Sequence, residues 1–301
     1  MDPAITIGDA SLPLSALAAA FGGGALAAAI GALPAFIFTG FAVIAGAAVV
    51  AGGGGPGVLQ NVAFGPIFGP HVSFAGGVAA AAYAARRGLL DSGRQITAPL
   101  LVLNRLDVIL VGGLFGAGGS LAVLVLDGVG LGRWTDSIAL TVVLSACLAR
   151  LLFGRTGLFG TVRDGAVRFQ PSEAANWVRW QESPLQLVAI GLAMGLASSY
   201  VALTLPGAGG HVMMFGVAAA LLLFGQVGEK MPVTHHIALP AALAAASTGN
   251  LLVGVAFGLA GAFAGELFAR LFLIHGDTHI DPPATAIALT ICALRLGEAL
   301  F

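Results

Sequence analysis

The side chains able to do chemistry in this 301-residue chain are few, and they come in matched sets. His71 and His236 each open an alanine-rich stretch, while Asp136, Cys147 and Arg150 recur with identical spacing as Asp281, Cys292 and Arg295. Histidine titrates near neutrality, so a His and a carboxylate at each end of one pathway would serve as alternately exposed gates or proton sites. The competing reading of both aspartates is helix capping, and Asp281 before Pro282-Pro283 has that signature. A second group lies in His235-His236 and in the run His275-Gly-Asp-Thr-His-Ile-Asp281. His235, His275, Asp277 and His279 would suit Zn²⁺, Mn²⁺ or Fe²⁺, or a proton relay, because imidazole and carboxylate are their usual ligands. The spacing matches no metalloenzyme signature such as His-Glu-x-x-His, and short loops collect polar residues for ordinary reasons, so capping and solvation outweigh metal binding. No cofactor is expected.

These residues belong to a duplicated framework. Pro13-Leu14 and Pro184-Leu185 open two series of apolar runs, and Leu33-Pro34 and Leu205-Pro206 close the first run of each. His71-Val72 and His236-Ile237 follow in order, then Leu110-Val111-Gly112 and Leu252-Val253-Gly254, each with Phe-Gly three residues on. Ordered matches that include His, Asp, Cys and Arg do not arise from a Gly/Ala/Leu-rich composition alone. The chain therefore divides into a first membrane repeat at 1–154, an amphipathic linker at 155–183 and a second membrane repeat at 184–301.

With 58% hydrophobic and 9% charged residues and a mean hydropathy of +0.97, the composition is that of an integral membrane protein. A bilayer core of about 30 Å takes about 20 apolar residues per helix. Such runs fall near 13–33, 34–53, 107–128 and 135–153, and again near 185–205, 211–228, 252–273 and 283–301. Each half also holds a shorter Ala-rich segment, near 71–86 and 235–249, next to helix-breaking glycines and prolines such as those between Gly52 and Pro70. Short or broken spans beside Gly/Pro-rich backbone point to a binding site. The expected fold is all-α, a polytopic bundle of about ten transmembrane segments built as two five-segment inverted repeats with short or broken third segments.

Arg86, Arg87 and Arg94 follow the third segment, and Arg155, Arg163, Arg168 and Arg179 crowd the linker, which places both regions on the cytoplasmic side. The acidic N-terminus, with Asp2 and Asp9, falls outside. An odd number of crossings per half inverts the second half relative to the first. Val167, Phe169, Trp177, Val178 and Trp180 in the linker suit the membrane surface. Arg150 and Arg295, far along their helices, read as snorkelling or paired residues at the interface. Glu266 with Arg270, and Arg295 with Glu298, stand at helical pairing distance.

Net charge of −1 without a basic stripe excludes nucleic acid as partner. No nucleophile with its base, phosphate loop or hydrolase signature argues for an enzyme. The expected function is a secondary transporter, a permease of the cell membrane for a small ion or polar solute bound between the repeats near His71, Asp136, His236 and Asp281. The alternatives are a passive channel for a small neutral solute and, less favoured, a membrane-embedded metal enzyme. The partners are then the solute, the lipid bilayer and a second copy of the chain.

Overall fold

The computed structural model describes residues 2–162, 165–205 and 207–300, so Arg163 of the linker and Pro206 lie outside the described residues. The long apolar runs become helices. In order these are α1 (Leu14–Ile30), α2 (Ala32–Ala51), α3 (Ser73–Arg86), α4 (Leu106–Gly128), α5 (Ser137–Phe153), α6 (Pro184–Thr204), α7 (Gly207–Ala220), α8 (Leu222–Gln226), α9 (His235–Thr248), α10 (Leu251–Phe268) and α11 (Pro282–Leu300). Six stretches are long and apolar enough to cross a bilayer: α2, α4, α6, α7 continued through α8, α10 continued to Leu273, and α11. The helices α1 and α5 are apolar but shorter. This is the build of a multi-pass membrane protein.

The strands among the described residues form one hairpin, β1 (Ala4–Ile7) with β2 (Ala10–Pro13), in which Ile7 pairs with Ala10. An all-α expectation misses it. Its signal is the short Ile5-Thr6-Ile7 run followed by Gly8, which takes the left-handed conformation (φ 55°) that a tight turn needs.

The two short helices set the architecture. Helices α3 and α9 have 14 residues each and are buried over almost their whole length. Helix α3 lies among α1, α2, α4 and α5, and α9 lies among α6, α7, α10 and α11. Lipid offers no hydrophobic drive for helix association, so contact rests on close van der Waals approach by small residues. The stripe Gly24, Gly76, Gly112 and Gly116 provides it in the first half, where a Cβ on any of the four would meet the backbone of a facing helix. Gly119 of α4 seats against the carbonyl of His71, and Gly261 of α10 seats against the carbonyl of His236. Both carbonyls lack their usual helical donor. The Ala75 amide donates to Pro70 instead (3.0 Å), and Pro240, inside α9, has no amide hydrogen to give.

The halves meet along two helix pairs. Helix α2 packs on α7 with Gly40 against Gly216 and Ala47 against Gly209, so the two run antiparallel. Helices α5 and α11 also run antiparallel: Thr135 Oγ1 donates to the Ala288 carbonyl (2.8 Å) at one end, and Arg150 reaches Thr278 at the other.

Between α2 and α3 the Gly/Pro-rich backbone folds back into the bundle. Gly46 seats against Leu59, Gly23 against the backbone of Pro66 and Ile67, and Thr39, midway along α2, donates to the Phe68 carbonyl (2.6 Å). Irregular backbone is tolerated at this depth because protein encloses it. The linker forms no regular element among its described residues. Gln181 exchanges two hydrogen bonds with Val233 (both 2.8 Å), the Trp180 indole donates to Met231, and Arg270 donates to the carbonyls of Phe169 and Glu182. Val167, Phe169 and Trp180 are exposed as a surface segment requires, whereas Val178 is buried and Trp177 turns inward. The linker is held to the protein by these bonds, which is why only part of it faces outward.

Candidate functional site

A partly open cavity of about 420 Å³ lies at the junction of the halves. Its walls carry matched residues: Phe74 and Leu239 from α3 and α9, then Asp136 with Asp281, Ala139 with Ala284, and Val142 with Ile287 at the start of α5 and α11. The loop ahead of each of these two helices delivers an aspartate to its N-terminus. Asp136 Oδ1 accepts from the Ala139 amide (2.7 Å), and Asp281 Oδ2 accepts from the Ala284 amide (2.8 Å). Each carboxylate therefore caps a helix and faces the cavity at once. The contact of Thr135 with Ala288 sets the start of α5 beside the second turn of α11. Seven residues separate Ala288 from Asp281, so the two carboxylates stand roughly 10 Å apart along the bundle.

Two imidazoles join them. His279 Nε2 lies 3.1 Å from Asp281 Oδ1, and the His279 ring meets Phe74 edge-on at 5.7 Å. The His235 ring packs against Phe36 (4.8 Å) and Phe215 (5.9 Å), and its Nδ1 is buried without a hydrogen-bond partner. Among the described residues no Lys or Arg lines this space, so its formal charge comes from two carboxylates.

His71 and His236 do not reach the cavity. Both are buried behind it, His71 beside Gly69 and His236 between Trp177 (5.7 Å) and Gly265, and neither His236 nitrogen has a partner. The partner of Asp281 is thus His279, not the duplicated His236. Rotation along α9 explains this: adjacent residues on a helix point about 100° apart, so only His235 of the pair faces inward.

The remaining candidates separate. His275 Nε2 meets the Arg168 carbonyl (3.1 Å), and Asp277 accepts from Thr156 Oγ1 (2.8 Å) and the Arg155 amide (2.6 Å). They tie the 275–278 loop to the linker. Among the described residues no three His, Cys, Asp or Glu side chains gather as a metal site requires, because the loop spreads them and each already has a local partner.

Arg150 corrects the expectation of a snorkelling residue. It is 1% exposed and donates to Thr278 Oγ1, Thr278 O, Leu158 O and Phe272 O, clamping the loop that carries His279 and Asp281. Its counterpart Arg295 pairs with Glu298 (2.7 Å) near the end of α11, and Glu266 pairs with Arg270 (2.7 Å). The aromatic residues Phe36, Phe74, Phe215 and Trp177 are the site residues that sequence reasoning missed.

The model of a family of unknown function, DUF7973, matches the chain over residues 6–177 and again over 172–300. The chain belongs to this family. No curated protein and no solved structure matches it. In this DUF7973 member both matched segments build the cavity, the first supplying Phe74 and Asp136 and the second His235, Leu239 and Asp281. Chemically, the arrangement is a space with aromatic and aliphatic walls, two carboxylates and two imidazoles.

Proposed function

We propose that the chain is a membrane carrier for a small solute, which binds in the central cavity between two inverted five-helix repeats. The observation that carries this reading is the lining of one cavity by matched positions of both halves, Asp136 facing the same space as Asp281 and Phe74 the same space as Leu239. Transporters of inverted-repeat design hold their solute at such a junction, beside short helices and irregular backbone.

The helix pairing supports inversion. Two equivalent helices that meet on a two-fold axis run antiparallel when that axis lies in the membrane plane, and parallel when it is the membrane normal. Helices α2 and α7 are antiparallel, and their contacts Gly40 with Gly216 and Ala47 with Gly209 set a register in which Ala42 stands opposite Met214. Aligning Leu33 with Leu205 makes Ala42 and Met214 equivalent positions, as an axis through the crossing requires. In this reading the Arg-rich 86–94 loop and the linker face the cytoplasm and the N-terminal hairpin faces outside.

The test is uptake by purified protein in liposomes. Vesicles are incubated with a mixture of inorganic ions, amines, amino acids, carboxylates and sugars, and the retained solutes are identified by mass spectrometry. A carrier accumulates at least one of them above protein-free vesicles, and preloading the vesicles with that solute speeds its entry. Uptake indifferent to preloading identifies a channel, and no retained solute rejects transport.

A further inference from the structure

The cavity wall specifies a charge and a shape. Its only formal charges among the described residues are the carboxylates of Asp136 and Asp281. Helix N-termini ordinarily attract anions. Here that attraction is already met, since the Ala139 and Ala284 amides are bonded to those same carboxylates. An anion entering the cavity would face two negative groups and no cation.

A bare metal ion is equally unsuited. Hard cations need about six oxygen ligands at 2.0–2.6 Å. The cavity offers two carboxylates roughly 10 Å apart by helix rise and the imidazoles of His235 and His279, and among the described residues no three His, Cys, Asp or Glu side chains gather as a metal site requires. At about 420 Å³ it has the size of a site for an organic molecule.

The aromatic rings add a second, independent indication. Phe36 and Phe215 pack against His235 and Phe74 packs against Phe36, with ring centroids 4.8–6.0 Å apart, and Trp177 closes the side nearest the linker. Aromatic faces attract cations, and quaternary ammonium groups are the usual occupants of aromatic cages. A third indication is His235 itself. It is 5% exposed, and its Nδ1 has no partner within the protein. A ring nitrogen in that position donates in one neutral tautomer and accepts in the other, so it is free to bond a polar group of the solute.

We propose, building on the carrier reading, that the solute is an organic cation: a small amine or quaternary ammonium compound with an apolar body, its charge set by Asp136 and Asp281 and its body by the Phe36, Phe74, Phe215 and Trp177 rings. The carboxylates exclude anions, and the rings exclude strongly hydrated inorganic ions.

Binding of four probes that share a phenyl-alkyl body tests this on the purified full-length protein in detergent. Phenethylamine and benzyltrimethylammonium carry a positive head, 2-phenylethanol a neutral one and 3-phenylpropionate a negative one. Quenching of tryptophan fluorescence reports occupancy beside Trp177, and thermal stabilisation reports binding independently. Both ammonium probes are expected to bind at least about tenfold more tightly than the alcohol, the ratio that one charge-assisted contact supplies. The propionate is expected not to bind. Asp136→Asn and Asp281→Asn remove the charge and keep a capping side chain, so they fold and weaken ammonium binding by about tenfold each. Equal or tighter binding of the propionate, no response to either ammonium compound at millimolar concentration, or unchanged affinity in both Asn variants overturns the proposal. The outcome is separable from that of the carrier reading. Ammonium binding without vesicle uptake rejects the carrier and keeps the cation site, whereas saturable uptake of an anionic or neutral solute alone rejects the cation site and keeps the carrier.

Discussion

Arg150→Lys isolates how the site is held. The guanidinium is buried and makes four hydrogen bonds, two to Thr278 and one each to the carbonyls of Leu158 and Phe272. Three separate pieces of chain meet on that planar fork: the start of the linker, the end of the α10 rod and the loop before α11. Lysine keeps the charge but presents a single nitrogen on a different stem, and it can satisfy about two of the four acceptors. Hydrogen bonds to charged groups contribute about 1.5–3 kcal/mol each, so the loss of two predicts a destabilisation of about 3–6 kcal/mol. Against a typical total of about 5–15 kcal/mol, that is a large fraction. Reversible unfolding in mixed micelles, followed by circular dichroism, measures it, with Arg295→Lys as the control. Arg295 has a half-exposed partner in Glu298, and its replacement is expected to cost no more than about 1 kcal/mol. Arg150→Lys within about 0.5 kcal/mol of the native protein would falsify the clamp, since surface substitutions lie within that range. Loosening of the 272–278 loop should also free His279 and Asp281, so ligand-dependent quenching of Trp177 is expected to fall in the same variant.

Three further outcomes follow from the packing. Gly119→Val and Gly261→Val each drive a side chain into the carbonyl of a buried histidine, and each is expected to cost about 1–3 kcal/mol or more by overpacking, measured by the same unfolding assay; Gly118→Val, where a Cβ would meet nothing, is expected to be neutral. Gln181→Leu removes both hydrogen bonds to Val233 and is expected to cost about 1–3 kcal/mol while increasing protease cleavage within 165–180, because the Val233 amide and carbonyl lose their partners. With Cys147 and Cys292 replaced by Ala, single cysteines at Asp91 and Glu173 should be labelled by an impermeant maleimide from one face of the membrane and those at Asp9 and Leu131 from the other; labelling of Asp91→Cys and Asp9→Cys from the same side would exclude five crossings per half.

Hydropathy and punctuation residues made the segments legible. The apolar run read at 107–128 is helix α4 at 106–128, the Ala-rich run at 71–86 is α3 at 73–86, and the run at 185–205 is α6 at 184–204. These limits depend on local chemistry: Pro184 at a helix start, Gly and Pro clusters after α2, and aspartates that cap. Asp136 and Asp281 could be identified as caps and as duplicated polar residues because both signals are contiguous in the chain. What each segment faces was not legible. Helices rich in Ala, Gly and Leu on every side have almost no amphipathic direction, so nothing in their periodicity distinguishes the face toward protein from the face toward lipid. Only the crossings settle that His235 lines the cavity and His236 does not, that Phe36, Phe74 and Phe215 meet, and that Trp177 leaves the surface. Arg150 and Arg295 show the limit most sharply. They occupy matched positions in a repeated sequence, yet the 155–160 segment and the 272–278 loop close over the first, while the second stands half-exposed beside Glu298. Burial of a charged side chain depends on which other backbone carbonyls arrive around it, and those of Phe272 and Thr278 come from parts of the chain more than a hundred residues away.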